Sequence, residues 1–318
     1  MRIVVLAGGF GGSRFVSGVR DAVGPDDEIT VVANTADDIW LFGLRVSPDL
    51  DTIMYTLGDG IDAERGWGRT DETWNAKEEL ATYGEPQAWF GLGDRDLATH
   101  VVRTARLREG LTLTEATAEL CRRWQPGVTL LPMTDAQVET HVATTVDGQD
   151  QVIHFQEYWI KHHAGVPVRG IELQGIEDAG PTPEVLAALE SADVILAAPS
   201  NPIVSIGPIV SVPGMRDALS DAKAPVVGVS PIIGGAALRG MADQLLDALG
   251  IEISATGVAR YHGDLLDGWL VDTEDADQVD AIEAAGITAR AVPLYMRDAE
   301  TSRQLALDAI ALATELHS

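Results

Sequence analysis

The sequence predicts an α/β protein: a doubly wound, Rossmann-like parallel sheet with a smaller helical and hairpin insertion. Three observations carry this. The strand-like segments are unbroken apolar runs rather than alternating ones, as strands buried on both faces require. Helical patterns separate those runs. A glycine-rich turn joins the first run directly to a helix.

Taken in order, "RIVVLAGG" (2–9) reads as a buried strand, "SRFVSGVRDAV" (13–23) as a helix and "EITVVANT" (28–35) as a second buried strand. Residues 71–125 are mostly helical in pattern. "VETHVATTVDGQDQVIHF" (138–155) alternates around "DGQD", the pattern of a β-hairpin, and "QEYWIKHH" follows as a short helix. Further strands are expected at 193–200, 224–231, 268–273 and 288–294, with helices at 182–192, 236–250, 275–286 and 299–317. The division this suggests is a nucleotide-binding core over 1–125 and 171–318, interrupted by an insertion over 126–170.

Of the 318 residues, 46% are hydrophobic, enough for a sizeable core. The formal charge is −27, which should repel nucleic acid and anionic lipid but leaves room for a nucleotide in a local pocket. Cys121, the single cysteine, sits in an amphipathic helical pattern and reads as core. The N-terminal apolar run is too short for a signal peptide, and no run of about 18 apolar residues suggests a membrane span. A cytoplasmic protein is expected. A homodimer is compatible with the apolar helix faces, although no interface is marked in the sequence.

Four stretches carry chemistry. In "AGGFGGSR" (7–14), glycines allow a phosphate to approach the backbone, and the helix behind them offers free N–H groups. The spacing matches neither a dinucleotide fingerprint nor a Walker loop, so a βα turn that binds nothing is the alternative. In "ANTADDIWLFGLRVSPDLDTIMY" (33–55), Asp37, Asp38, Asp49 and Asp51 gather where strand 28–35 ends, the edge that holds ligands in open parallel sheets. Ser47 is placed to cap a helix beginning at Pro48, and Asp49 and Asp51 would then favour its dipole. Four acids facing a diphosphate point instead to Mg²⁺, which takes one or two carboxylates and completes its shell with phosphate and water. In "GLGDRDLATH" (91–100), Arg95 could clamp a phosphate, and Asp94 could cap the helix or join the metal site, while His100 reads as structural. In "LAAPSNPIVSIGPI" (196–209), Ser200, Asn201 and Pro202 form a rigid polar loop at another strand end. "SPIIGGAALRG" (230–240) repeats the strand–glycine–helix pattern, and His162 and His163 read as surface residues.

In this order, "LAGGFGGSR", "NTADDIWLFGLRVSPDLDTIMYTL", "GLGDRDLATH", "LLPMTDAQVET" and "APSNPIVSIGPI" resemble the 2-phospho-L-lactate transferase family of coenzyme F420 biosynthesis, over nearly the whole chain. The "GGFGGSRF" start is similar to the actinobacterial phosphoenolpyruvate transferase type. The resemblance implies a Mg²⁺-dependent transfer. A phospho-three-carbon-acid unit (phosphoenolpyruvyl or 2-phospho-L-lactyl) passes from its guanylyl diphosphate ester to the ribityl hydroxyl of the deazaflavin Fo. GMP leaves, and F420-0 or its dehydro form is the product. The residues that match would divide the work. Asp38 and Asp51 would bind metal or orient the hydroxyl, with Asp37, Asp49 and Asp94 completing the metal set. Gly8, Gly9, Gly11, Gly12, Ser13, Ser200 and Asn201 would hold the phosphates, with Asn34, Thr52 and Pro202 beside them. Arg95 would neutralise the diphosphate and Trp40 would pack on the deazaflavin. Asp51→Asn would abolish turnover while leaving thermal stability nearly intact.

Two other classes fit parts of the sequence. A nicotinamide-dependent oxidoreductase would use the glycine loop, but one ribose-binding acid would suffice there. A sugar-nucleotide or dinucleotide sensor would have the pocket without turnover, and the dense acidic block argues for catalysis instead.

Overall fold

The computed structural model describes residues 1–238 and 240–317. In chain order its first half contains β1 (Arg2–Ala7), α1 (Gly9–Ala22), β2 (Glu28–Ala33), β3 (Ile39–Leu41), β4 (Leu44–Val46), α2 (Pro48–Leu57), α3 (Asn75–Thr82), α4 (Asp94–Arg108), α5 (Leu113–Trp124), β5 (Thr129–Pro132), β6 (Glu139–Val146) and β7 (Gln149–His154). A π-turn at Glu157–Lys161 leads to β8 (Val168–Gln174) and α6 (Pro183–Ser191). Then come β9 (Val194–Ala197), α7 (Gly207–Ser211), α8 (Met215–Asp221), β10 (Val226–Val229), β11 (Ile232–Ile233), β12 (Ala236–Ala237), α9 (Ala242–Ala248), α10 (Ala255–His262), β13 (Gly268–Val271), α11 (Val279–Glu283), β14 (Thr288–Ala291) and α12 (Ala299–Leu316).

Seven strands form one sheet in the order β14-β13-β10-β9-β1-β2-β5, and every pair is parallel. The doubly wound α/β fold is therefore the one the apolar runs predicted. Alternate residues along each strand serve opposite faces. Val5, Val31, Leu196, Val227 and Leu270 pack under α1, α2, α5 and α12, while Val4, Leu6, Val32, Ile195 and Val271 face the helices of 183–265. Helix α1 lies against α12 because Gly18 has no side chain: a Cβ there would sit 2.2 Å from the Ser302 carbonyl. The chain winds outward from β1 through β2 to β5, then returns to β9 on β1's other side. The crevice between the carboxyl ends of β1 and β9 is thus the topological switch point, where doubly wound sheets take ligands.

Several predicted boundaries shift for physical reasons. The segment set apart as 126–170 contains β5, which pairs with β2 in the main sheet, whereas the separate antiparallel sheet, in the order β7-β6-β8, spans Glu139–Gln174. Asp147 and Gly148, with φ of 51° and 77°, make the two-residue turn of its hairpin. The helix expected at 236–250 is only Ala242–Ala248. Gly234 and Gly235, both at positive φ, turn β11 into β12 instead, and Gly240 at φ 81° keeps the helix from starting earlier. Arg239, within that predicted helix, lies outside the described residues. The helix expected at 275–286 is a 3₁₀ turn followed by α11, because Asp272 caps at Glu274 and Asp275 departs from helical geometry. Helix α1 begins at Gly9 rather than at residue 13, so the glycines form its first turn. Among the described residues no helix is long and apolar enough to cross a membrane.

His262, at the end of α10, is buried between Tyr261 and Trp269, and its Nδ1 has no hydrogen-bond partner. Burial, with Arg216 adding to it, lowers its pKa from 6.5 to about 4. Between those values the unfolded chain binds more protons than the folded one, so this residue's contribution is lost as pH falls from 6.5 towards 4. The loss should amount to about 3 kcal/mol at most. Urea unfolding at pH 7 and pH 4.5 should show a smaller acid loss in His262→Phe than in the parent; equal losses would refute this.

Candidate active site

The edge of β1 closes on the loop after β9 through one side chain. Ser200 Oγ accepts the Gly8 N–H at 3.1 Å and donates to the Gly8 carbonyl at 2.8 Å, across 192 residues of sequence. The packing there admits only glycine. A Cβ on Gly12 would lie 2.5 Å from Ser200 Oγ, and one on Gly8 would lie 2.5 Å from Asp49 Oδ2. Helix α1 starts at Gly9 with no acid in its first turn, so the positive end of its dipole lies at the crevice, where the Gly9 amide supports Asp49. Ser13, in contrast, is turned inward: its hydroxyl donates to the Phe10 carbonyl and accepts from Thr56. Asn201 accepts the N–H groups of Ile203 and Val204 and so caps the π-turn that begins at Pro202.

Asn34, at the end of β2, is fully buried and ties this loop to the acids. Its Nδ2 donates to Asp49 Oδ2 at 3.0 Å and to the Val204 carbonyl at 3.1 Å, and its Oδ1 accepts from Ala36 N–H. Asp37, Asp38, Asp49 and Asp51 are all buried. They divide into two pairs with different neighbours.

Asp38 and Asp51 have cations. Arg45 on β4 places Nε 3.2 Å from Asp38 Oδ2, which also accepts from Ser47 Oγ at 2.6 Å. Ser47 was expected to cap α2; it occupies the cap position, but its hydroxyl goes to Asp38 instead. Arg103 on α4 grips both oxygens of Asp51. Burial works against the Arg103 charge, but Asp51 outweighs it and raises the guanidinium pKa above its usual value. His100 lies between Asp51 (3.6 Å) and Asp96 (3.3 Å), and Tyr55 donates to Asp96 at 2.7 Å. Neither Arg45 nor Arg103 was singled out from the sequence. Their signal was present: an arginine at an apolar position of a helix or hairpin is almost never buried unpaired.

Asp37 and Asp49 have no cation among the described residues. Burial, then the Asp49 and Asp38 charges, push Asp37 well above the usual carboxylate range. Burial raises Asp49 to about 6, with Asn34 and the Gly9 amide pulling the other way. Burial also raises Asp38 to about 6 against the pull of Arg45. Asp37 Oδ1 and Asp38 Oδ1 are buried without a hydrogen-bond partner.

Three predicted residues lie apart or on the rim. Asp94 opens α4 but serves α3, accepting from Thr73, Asn75 and the Ala76 N–H; those bonds hold its carboxyl down to about 2. Its oxygens are occupied away from the other acids. Arg95 is exposed, with Asp71 and the Thr70 carbonyl as neighbours. It precedes Arg103 by eight residues on one helix, about 12 Å along the axis, so it does not meet Asp51. Trp40 sits on the rim, 37% exposed, with Nε1 donating to Gln137 and its ring 6.0 Å from the Arg45 guanidinium. Thr52 is buried in the first turns of α2, and Cys121 is half-buried with its thiol raised to about 11 by burial.

A family described as 2-phospho-L-lactate transferase CofD matches residues 3–313. A phosphoenolpyruvate transferase of Streptomyces griseus is 59% identical, with all of both chains covered. Its namesake in Streptomyces coelicolor is 58% identical over 99% of each chain. Another from Mycobacterium avium is 49% identical, over 98% of this chain and 99% of its own. A crystal structure of a UPF0052-family protein from Bacillus halodurans shares the fold, with a TM-score of 0.60 at 18% identity over 97% of this chain and 99% of its own.

The two pairs of acids should respond oppositely to neutralisation. Asp37→Asn removes an uncompensated buried charge and should raise the melting temperature above pH 7. Asp51→Asn strands the Arg103 guanidinium and should cost about 3–5 kcal/mol. The near-intact stability expected of Asp51→Asn from sequence is thereby revised, because Asp51 is one half of a buried ion pair. Calorimetry of both variants checks this, and a stabilised Asp51→Asn would refute it.

Proposed function

Because the chain belongs to the 2-phospho-L-lactate transferase family, and is accordingly a transferase, we propose that it transfers a phosphoenolpyruvyl unit from the guanylyl diphosphate ester to the terminal hydroxyl of Fo. GMP is released and dehydro-F420-0 forms, a step of coenzyme F420 biosynthesis. The choice of enolpyruvyl over lactyl donor is supported by the name shared by relatives 49–59% identical over nearly their whole length. The observation that carries the catalytic reading is the pair Asp37 and Asp49: buried acids without a cation among the described residues, with Asp49 against the Gly8 turn.

That pair is also the test of whether a divalent metal fits. No group of three acids or histidines at metal-binding geometry occurs among the described residues. Mg²⁺, however, needs only one or two carboxylates beside a substrate diphosphate and water. Asp37 Oδ1 is buried and unsatisfied, as a ligand oxygen awaiting a cation would be. Asp37 and Asp49 would hold the ion, which would supply positive charge to the diphosphate and the leaving group.

The protein's own groups would do the rest. The Ser200-braced Gly8 turn and the positive end of the α1 dipole would bind the diphosphate. Asp38, whose Oδ2 is fixed by Arg45 and Ser47, would use its free Oδ1 to accept the hydrogen of the attacking hydroxyl. Its raised pKa, about 6, leaves it ionised at neutral pH yet a better proton acceptor than an ordinary carboxylate. Asp51 would act indirectly, by holding Arg103 and with it the Arg45 carbonyl, to which Arg103 donates at 3.4 Å. Trp40 on the rim would offer a flat surface to the deazaflavin. Transfer of this kind depends on positioning and charge, and the geometry supplies both.

Mass spectrometry of the protein with Fo, Mg²⁺ and either guanylyl donor should show a phosphodiester of Fo and GMP. The enolpyruvyl donor should be preferred, and EDTA should suppress the product. Nucleotide binding without product from either donor would overturn the transfer and favour a sensor.

A further inference from the structure

The three-stranded sheet of β6, β7 and β8 touches the acidic loop at three successive carbonyls. The Ala36 carbonyl accepts the Thr140 N–H at 2.6 Å. The Asp37 carbonyl accepts Gln156 Nε2 at 3.3 Å. The Asp38 carbonyl faces His154 Nε2 at 3.1 Å. The direction of the last bond follows from the other ring nitrogen. His154 Nδ1 takes the Gln156 backbone N–H at 3.0 Å, and a backbone amide can only donate. Nδ1 is therefore the bare nitrogen, the proton is on Nε2, and Nε2 donates to Asp38. His141 stacks edge-on against the same ring at 5.3 Å and holds its plane.

We propose that this sheet is the positioning device of the acidic loop: His154 and Gln156, with the Thr140 amide, pin the carbonyls of Ala36, Asp37 and Asp38 and so fix where the two carboxylates point. The need for it is electrostatic. Asp37 and Asp38 are adjacent, buried and like-charged, with one unpartnered oxygen each. Left to local forces, repulsion would rotate them apart or towards solvent. Three hydrogen bonds to the backbone carbonyls oppose that rotation without neutralising either carboxylate. His154 and Gln156 touch neither acid's side chain, so they are positioning residues and not catalytic ones.

The activity arm of the test rests on the proposed transfer, while the metal-binding arm does not. Mn²⁺ binding in the presence of GDP, followed by electron paramagnetic resonance, should weaken about 10-fold in His154→Phe, because the lost bond to Asp38 frees the loop on which the neighbouring ligand Asp37 sits. Its kcat should fall while the KM for the guanylyl donor stays within about twofold. His154→Gln, which keeps a side-chain N–H donor, should recover most of both. Mn²⁺ affinity and kcat unchanged in His154→Phe, whatever its melting temperature, would overturn the proposal. If His154→Phe does not fold, Gln156→Leu removes only the bond to Asp37 and is read by the same criteria. A parent chain that binds Mn²⁺ but transfers nothing, with binding lost in His154→Phe, would refute the transfer and uphold the positioning. A parent chain that neither binds Mn²⁺ nor transfers would sink both.

Discussion

The ion pair between Asp51 and Arg103 is the contact on which the site depends. A buried carboxylate is costly, and two ranks of them at one sheet edge would not be tolerated in a chain of net charge −27 without internal cations. Arg103 comes from α4 and Arg45 from the β3–β4 hairpin, so both elements are drawn over the edge of the sheet by charge as much as by apolar contact. The hairpin has little core of its own: Ile39, Leu41, Val46, Phe90 and Leu92 form a small separate cluster. Its turn even places Phe42 at a φ of 52°, which an aromatic residue adopts at a cost. Arg45 supplies a compensating reason for the hairpin to sit where it does.

Those arginines compensate only half of the negative charge. Asp38 and Asp51 are matched, whereas Asp37 and Asp49 have no cation among the described residues, and Asp49 lies against a glycine turn that admits no side chain. Selection for stability alone would replace one of them by asparagine or an apolar residue. Two such acids inside a well-packed interior are what a site that trades folding energy for electrostatic readiness would contain.

The fold was legible because its cause is local. Unbroken apolar strands such as "RIVVLA" and "EITVVA" can be buried on both faces only in a parallel sheet, and the amphipathic patterns between them supply the covering helices. The acidic block was legible for a similar reason: its position after β2 follows from connectivity alone. What the sequence concealed was partnership. Nothing local distinguishes Arg103, which is buried on Asp51, from Arg95 eight residues earlier, which lies in solvent; the difference is which face of α4 meets α2. Ser47 has every feature of a helix cap, and only the approach of Asp38 from nine residues upstream diverts its hydroxyl. Asp94, read as part of the acidic group, is held by the start of a neighbouring helix, a contact set by a 21-residue excursion of the chain.

The same distinction separates the residues that do chemistry from those that allow it. Ser200 reads from sequence as a phosphate ligand because its loop ends a buried strand. In the structure its hydroxyl is spent on both polar atoms of the Gly8 peptide. A hydroxyl with one donor and two acceptor sites has little left for a substrate. Ser200 therefore acts by holding the crevice between β1 and β9 together. Side-chain chemistry at a strand end is thus evidence of a site but not of a role. The role follows from which polar atoms remain unsatisfied after the fold has taken its share, and among the described residues of the acidic loop those atoms are Oδ1 of Asp37 and Oδ1 of Asp38.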